Sequence, residues 1–385
     1  MSLTRREFIE KGAAAALLVS PIISAARELG AQSKIRVAVL GYGSVSGVYL
    51  PHLTKSPFVE VVSCCDIIPE RAKSRAEEFG IKNHYPHIDQ MLAGVPFDLM
   101  VNLTDMQEHG RLNKQGLNAG KHVWSEKPMA NTYKEGKDLL DFAKTKKLRI
   151  WGAPAVVNSP QFAFMSKAIQ EGKLGKVAAA HAHYGHLGPD WSAFFYEKGG
   201  GSLPDLGVYN IATLTGLLGP AKAVMAMTSI VTPTRKIVGK GEIKVEAEDN
   251  AMLIMDHGNG TLSHVQSGFN YFDPYGHGGE GQEKPTISIW GTKGNMALIG
   301  YDWAPFGVDF ATVDNEKGSR EAKVTEPYVW QMGASVVAES LVTKKEPYIN
   351  AEHALHVLEV IEATRESGQK GVKVELKSTF KWPVV

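Results

Sequence analysis

Lys127 stands in the run Ser125-Glu126-Lys127-Pro128, directly after the apolar stretch His122-Val123-Trp124. That stretch reads as a buried strand, so the ammonium sits at a strand end, and Pro128 fixes the turn beyond it. An ammonium so placed can stabilise an oxygen on which negative charge develops. Asp205 and Tyr209 are four residues apart, which puts both on one face if the segment is helical. Tyrosine is a poor base at its ordinary pKa of ~10, and a neighbouring ammonium such as Lys127 would lower it. A third group is His181-Ala182-His183-Tyr184-Gly185-His186. On a strand His181 and His183 share a face, and paired histidines with a third nearby can bind zinc. No cysteine or adjacent carboxylate pattern completes such a set, so no metal is expected.

The elements that must position these groups begin at Ile35-Arg36-Val37-Ala38-Val39-Leu40, a buried strand by its pattern. Gly41-Tyr42-Gly43-Ser44-Val45-Ser46-Gly47 follows and leads into an apolar-periodic segment with Val48, Leu50 and Leu53. A glycine-rich turn between strand and helix suits a dinucleotide. Gly41 allows the tight turn, and Gly43 lets the backbone approach a pyrophosphate seated with Ser44 and Val45 at the helix N-terminus. Ser46 holds the third small position and Gly47 comes one place late, so the fingerprint is imperfect. A second strand, Val59 to Cys65, ends at Asp66, 25 residues after Gly41. That is near the distance for an acid that binds ribose hydroxyls, and its charge repels a 2′-phosphate. NAD is therefore expected, with NADP possible because Arg71 and Lys73 lie in the next helix. Asp66 can also cap that helix, 69–80. Strands at 99–103, 122–125 and 148–151 alternate with helices at 109–119 and 132–146. The alternation predicts an α/β Rossmann domain, a doubly wound parallel sheet over 34–150, with ligands at the strand C-terminal ends. Leu103, Thr104 and Glu126 fall at such ends.

With the glycine turn and Asp66, the Glu126-Lys127-Pro128 run resembles the Glu-Lys-Pro motif of the Gfo/Idh/MocA oxidoreductases, which include glucose–fructose oxidoreductase and inositol dehydrogenase. Gly199-Gly200-Gly201-Ser202-Leu203-Pro204-Asp205-Leu206-Gly207-Val208-Tyr209 resembles the same family's glycine-rich entry to a helix carrying an acid and, four residues on, an acid/base residue. The resemblance spans about 34 to 383. It implies a face opposite a nicotinamide for Asp205 and Tyr209, with Tyr209 as proton acceptor from a substrate hydroxyl and Asp205 orienting substrate and Tyr209. Many members have His where this chain has Tyr209; glucose–fructose oxidoreductase has Tyr. Glu126 would position Lys127 or the nicotinamide ribose. Thr104 and His109 would lie near the nicotinamide, with Pro128 beside it. The family's aromatic and Arg after the last strand are not matched in 152–160. His181, His183 and His186 would bond sugar hydroxyls, with apolar faces from Trp191, Phe194, Phe195 and Tyr196.

From 151 to 385 the pattern changes. Runs at 177–186, 221–231, 251–255, 261–269, 286–290 and 295–299 predict an α+β domain with an open, mostly antiparallel sheet. The family uses this sheet for subunit contacts, so a homodimer or homotetramer is expected. Residues 272–283 read as a glycine-rich loop, and 329–341 and 352–366 as closing helices.

The composition agrees with a small-molecule enzyme. The chain has 385 residues, 43% hydrophobic and 22% charged, with 42 Lys plus Arg against 41 Asp plus Glu. No basic surplus serves a nucleic acid. Thr4-Arg5-Arg6-Glu7-Phe8-Ile9, an apolar stretch at 12–26 too short to span a bilayer, and Ser24-Ala25-Ala26 read as a twin-arginine export signal within a leader of 1–31. The adjacent Cys64 and Cys65 offer no disulfide framework. That suits a protein exported already folded, to the periplasm, through the twin-arginine machinery and around a tightly bound cofactor. The expected function is NAD(P)-dependent hydride transfer at a sugar, polyol or glycoside hydroxyl. The alternative is an NAD-dependent glycosidase that oxidises, eliminates, hydrates and re-reduces.

Overall fold

The computed structural model describes residues 34–272, 283–323 and 330–385. The expected leader, residues 273–282 of the glycine-rich loop and residue 329 lie outside the described residues. Six strands form the first sheet: β1 (Ile35–Leu40), β2 (Val59–Cys65), β3 (Asn83–Tyr85), β4 (Leu99–Asn102), β5 (His122–Ser125) and β6 (Ile150–Gly152). Their order is β3-β2-β1-β4-β5-β6, all parallel. The helices between them are α1 (Ser46–Lys55), α2 (Pro69–Phe79), α3 (Ile88–Ala93), α4 (His109–Asn118) and α5 (Tyr133–Thr145). The strands are apolar on both faces because both faces are covered. Val37, Val39, Val101, Trp124 and Trp151 enter one buried cluster, and Ala38, Leu40, Met100, Val123 and Ile150 enter the other. Cys64 and Cys65 likewise belong to opposite clusters. Burial pushes their thiols up to about 11 and about 12, so neither is primed for thiolate chemistry. Strand β3 and helix α3 were not expected. Asn-His-Tyr is too short and polar to write a strand pattern, and it forms only because β2 offers it an edge.

The second sheet uses β7 (Val177–Gly185), β8 (Ala223–Ser229), β11 (Asn250–Asp256), β12 (Leu262–Gly268), β13 (Pro285–Gly291), β14 (Gly294–Tyr301), β15 (Ala304–Thr312), β16 (Asn315–Glu321) and β17 (Val374–Glu375). The order is β16-β15-β14-β13-β7-β12-β11-β8-β17, antiparallel except where β7 meets β12. A separate hairpin joins β9 (Thr234–Ile237) and β10 (Gly241–Lys244). Helices α6 (Pro160–Gln170), α7 (Val208–Leu218) and α9 (Ala351–Lys370) cover one face; α8 (Gly333–Thr343) instead packs on α1, β1 and β2. The closing helices were assigned with the second domain. In the structure they reach back: Leu355 and Leu358 of α9 share a core with α5 and the first sheet, while the same helix packs on α7 and β8.

Helix α9 also carries two buried histidines. His356 Nε2 accepts the Ala221 N–H at 3.0 Å, and its Nδ1 meets Ser378 Oγ at 2.7 Å, which fits a neutral ring. Burial pushes His353 down to about 4 and His356 down to about 3. Below the ordinary histidine value of ~6.5, the unfolded chain takes up protons that the fold refuses. Stability therefore falls with pH from about 6.5 toward 4, at ~1.4 kcal/mol per pH unit for each ring. Asp302 works the other way. Its buried carboxyl is pushed up to about 7, so below that value the fold holds a proton that the unfolded chain releases until pH ~4. Asp302→Asn should then make the loss of Tm between pH 6.5 and 5 steeper than in the parent. Thermal unfolding across that range checks this, and equal slopes would contradict it.

Candidate active site

The order of the first sheet reverses between β1 and β4, and ligands of such sheets sit at that crevice. Gly41 ends β1 there with φ +91°. A Cβ on it would lie 2.7 Å from Leu103 C and Thr104 N, so only glycine lets the two strand ends close. At Gly43 a Cβ would meet nothing within 4 Å, because the turn opens into the cleft. Helix α1 starts with no side-chain cap and no acid in its first turn, which leaves its positive end to an anion. Ser46 takes the third small position because its hydroxyl donates to Gly43 O at 2.7 Å and closes the turn from within. These residues fit the pyrophosphate of a dinucleotide.

Asp66 is buried and its two oxygens hold the local backbone: Oδ2 accepts the Tyr42 N–H at 2.7 Å and Oδ1 the Ile68 N–H at 2.8 Å. It braces the glycine turn rather than capping α2, whose N-cap is Ile68. Arg71 is exposed on α2.

The cleft encloses about 320 Å³ and runs from the glycine turn to the second sheet. Gly43, Ser44, Val45, Leu103, Thr104 and His109 line one end; Glu126, Lys127, Asp205 and Tyr209 line its middle. Lys127 Nζ donates to Asp205 Oδ1 and to Asp205 O, both at 2.8 Å, and lies 5.2 Å from the Tyr209 ring centroid. Both side chains of the ion pair are largely buried. Asp205 and Tyr209 do share a face, but Asp205 belongs to a wide π-helical turn, Leu203–Gly207, that precedes α7. Its carboxylate is committed to Lys127. The glycine-rich entry is held from behind: Gly201 has φ +111°, and Arg365 grips Glu248 with two hydrogen bonds of 3.0 Å beside it.

Glu126 is the second buried support. Its Oε1 accepts the Tyr49 hydroxyl at 2.7 Å and its Oε2 the Lys127 N–H at 3.0 Å, while Trp124 Nε1 donates to Tyr49 Oη at 3.0 Å. Burial first, then the Glu126 charge, hold the Tyr49 phenol well above its ordinary value, so it stays a donor. Tyr49→Phe should cost ~1–3 kcal/mol by stripping partners from Glu126 and Trp124. It should also lower turnover by loosening the Lys127 turn; chemical denaturation and kcat measure the two effects. His109 proves to be a brace as well. Its ring nitrogens meet Pro128 O at 2.7 Å and Thr104 O at 2.9 Å, tying two strand-end loops together, and burial keeps its pKa below the ordinary histidine value. Pro128 itself does not line the cleft; its peptide with Lys127 is cis.

The expected substrate residues divide. His186 and Trp191 line the cleft, together with Phe194 and Phe195. His181, His183 and Tyr196 do not, and their substrate roles are withdrawn. Ala180, Ala182 and Tyr184 take the inward face of β7, so His181 and His183 must point to the opposite face. There His181 Nδ1 meets His264 Nδ1 at 2.7 Å, and His183 stacks on His181 at 5.4 Å. Tyr196 is a core residue whose hydroxyl donates to Pro189 O at 2.7 Å. Among the described residues no group of three or more His, Cys, Asp or Glu is arranged to hold a metal ion.

Asp105, Met106, Leu206, Trp303 and Trp330 line the cleft without having been expected. Burial raises the Asp105 carboxyl above its ordinary value. Trp303 sits in the turn Tyr301-Asp302-Trp303 between β14 and β15. Bulky aromatics in a tight turn were the available signal.

Comparison with known proteins decides the family. Residues 35–153 match the oxidoreductase family with an NAD-binding Rossmann fold, and residues 162–297 match the GFO/IDH/MocA C-terminal domain. The chain belongs to the GFO/IDH/MocA oxidoreductases. Scyllo-inositol 2-dehydrogenase (NADP(+)) of Bacillus subtilis is 26% identical over 369 residues, 87% of this chain and 94% of that protein. Levoglucosan dehydrogenase of Pseudarthrobacter phenanthrenivorans is 26% identical over 253 residues, 60% of this chain and 62% of that one. Several other curated relatives are also matched over less than two thirds of their own length. Among solved structures, aldose-aldose oxidoreductase from Caulobacter crescentus shares the fold, with TM-score 0.76, 21% identity, and coverage of 89% of this chain and 100% of that one. In this oxidoreductase the glycine turn and the Lys127–Asp205 pair line a single cleft.

Proposed function

We propose that the chain oxidises a hydroxyl of a carbohydrate or polyol. The observation that carries this reading is the Lys127 ammonium, fixed at 2.8 Å from Asp205 and 5.2 Å from the Tyr209 ring, beyond the cradle at Gly43. Relatives named as a levoglucosan dehydrogenase, a D-glucoside 3-dehydrogenase and a scyllo-inositol 2-dehydrogenase support the substrate class. NAD, when bound, supplies hydride acceptance at its nicotinamide. Gly41, Gly43, Ser44 and Val45 hold the pyrophosphate, and Thr104, Glu126 and Lys127 lie toward the nicotinamide. Asp66 disfavours a 2′-phosphate, so NAD is preferred to NADP. Lys127 stabilises the alkoxide that forms as the carbinol C–H bond breaks. The hydroxyl proton leaves toward Tyr209, and Asp205 keeps the ammonium aimed.

Mass spectrometry of the nucleotide released on denaturation tests the cofactor: NAD is expected, and a protein that neither carries nor binds a dinucleotide would refute the reading. Screening sugars and polyols for the absorbance of reduced nicotinamide tests the reaction. Release of p-nitrophenol from a glycoside without net reduction would favour the glycosidase instead.

We also propose that a second copy covers the open face of the large sheet. Met227 there is 80% exposed and lies opposite Met252; Met225 lies opposite Ile254, and both are about half exposed. A contiguous apolar surface of this kind is uncommon on monomers. Sedimentation of the mature protein checks it, and a monomer at all concentrations would refute it. Export through the twin-arginine route rests on Arg5 and Arg6. Exchange of both for lysine should retain the protein in the cytoplasm, as fractionation would show. Among the described residues no helix is long and apolar enough to cross a membrane.

A further inference from the structure

We propose that Trp303 and Trp330 form, with Tyr209, an aromatic wall that selects an uncharged glycoside bearing an apolar substituent. This rests on the reading above that the cleft takes a carbohydrate. Trp303 meets Tyr209 edge to face at 4.7 Å, and Trp330 does so at 6.1 Å. Trp303 is itself backed by Tyr301, stacked at 4.6 Å, and by Tyr184 at 4.7 Å. Its turn is anchored to the helix of Tyr209, since Thr213 donates to Asp302 at 2.7 Å and the Asp302 N–H donates to Tyr184 Oη at 2.8 Å. Trp303 is therefore held to the helix that carries Tyr209. Trp191, Phe194 and Phe195 supply further aromatic surface to the cleft.

Charge sharpens the choice. The cleft's described lining holds three carboxyl side chains, Asp105, Glu126 and Asp205, and one cation, Lys127, which Asp205 already holds. A uronate, a sugar phosphate or a nucleotide sugar would thus bring its anion into a cleft whose described lining has a carboxylate excess and no Lys or Arg besides the Asp205-held Lys127, a strongly unfavourable arrangement. A neutral ring loses nothing there, and an aryl group gains the faces of Trp303 and Trp330.

Binding to the full chain loaded with NADH tests this, by calorimetry with methyl β-glucoside, phenyl β-glucoside and phenyl β-glucuronide. The phenyl glucoside should bind about tenfold more tightly than the methyl glucoside, and the glucuronide at least about thirtyfold more weakly than the phenyl glucoside. Trp303→Ala should erase the phenyl preference while the Kd for NADH stays within about twofold, and Trp303→Phe should keep most of it. If Trp303→Ala does not fold, Trp330→Ala carries the same expectation. A glucuronide bound as tightly as the glucoside would overturn the proposal, as would an intact phenyl preference in both alanine variants or no binding of any sugar by NADH-loaded protein. Selective binding by the NADH-loaded chain, with no reduction of NAD by any of these sugars in a parallel assay of the NAD-loaded chain, would refute the proposed reaction and leave the selectivity standing.

Discussion

Lys127→Met is expected to lower kcat by ~10³-fold or more while the Kd for NAD changes little. Methionine keeps the length of the side chain but removes the charge that faces the reacting oxygen. The hydrogen bonds that shape the glycine turn and hold Asp66 do not involve the Lys127 side chain, so the dinucleotide end of the cleft should persist. The variant will also leave the Asp205 carboxylate, only 14% exposed, without its cation. That should cost ~1–3 kcal/mol of stability. A double variant, Lys127→Met with Asp205→Asn, separates the effects: it should recover the stability and not the turnover. Steady-state kinetics, NAD titration and thermal unfolding of both proteins make the comparison. Full activity in either would overturn the assignment of Lys127.

Gly41→Ala should be nearly as damaging, for a geometric reason. The new methyl would lie 2.7 Å from backbone atoms of Leu103 and Thr104, and φ +91° is a conformation that L residues rarely adopt. Backbone cannot swing aside as the tip of a side chain can, so β1 and β4 must part. Roughly 2–4 kcal/mol of stability should be lost, with an NAD affinity at least about tenfold weaker. By contrast, Gly43→Ala meets no protein atom and should unfold like the parent while still impairing dinucleotide binding. Parent-like Tm and NAD affinity in Gly41→Ala would show that the crevice is looser than its geometry requires.

The first sheet was legible because a strand buried on both faces must be almost continuously apolar, and β1, β2, β4 and β5 are. The glycine turn and Lys127 were legible for a related reason: they fall at the ends of those runs, where this topology gathers ligands. The histidines were misread because alternation along β7 says that His181 and His183 share a face but not which face. Only the packing of Ala180, Ala182 and Tyr184 against the helices settles that. Trp303 and Trp330 were missed because aromatics in a turn do not say which cavity they reach. Trp303 reaches the cleft through a hairpin nearly a hundred residues beyond Tyr209, and its place depends on Asp302 meeting Thr213. Asp66 and His109, read as ligand contacts, also brace loops through their hydrogen bonds, a second role that only the folded contacts reveal.

Helix α9 bears on any attempt to recombine this protein. Leu355 and Leu358 come within 3.1 Å of where a Cβ on Gly136 would stand, Ala354 comes within 3.2 Å of one on Gly152, and further along the helix Gly368 abuts Thr228 of β8. A hybrid that grafts residues 34–150 onto another sheet domain would inherit grooves cut for a helix encoded two hundred residues downstream. Interchangeable parts in this chain are therefore not contiguous in the gene: a functional swap of the nucleotide half must carry the 351–370 segment with it.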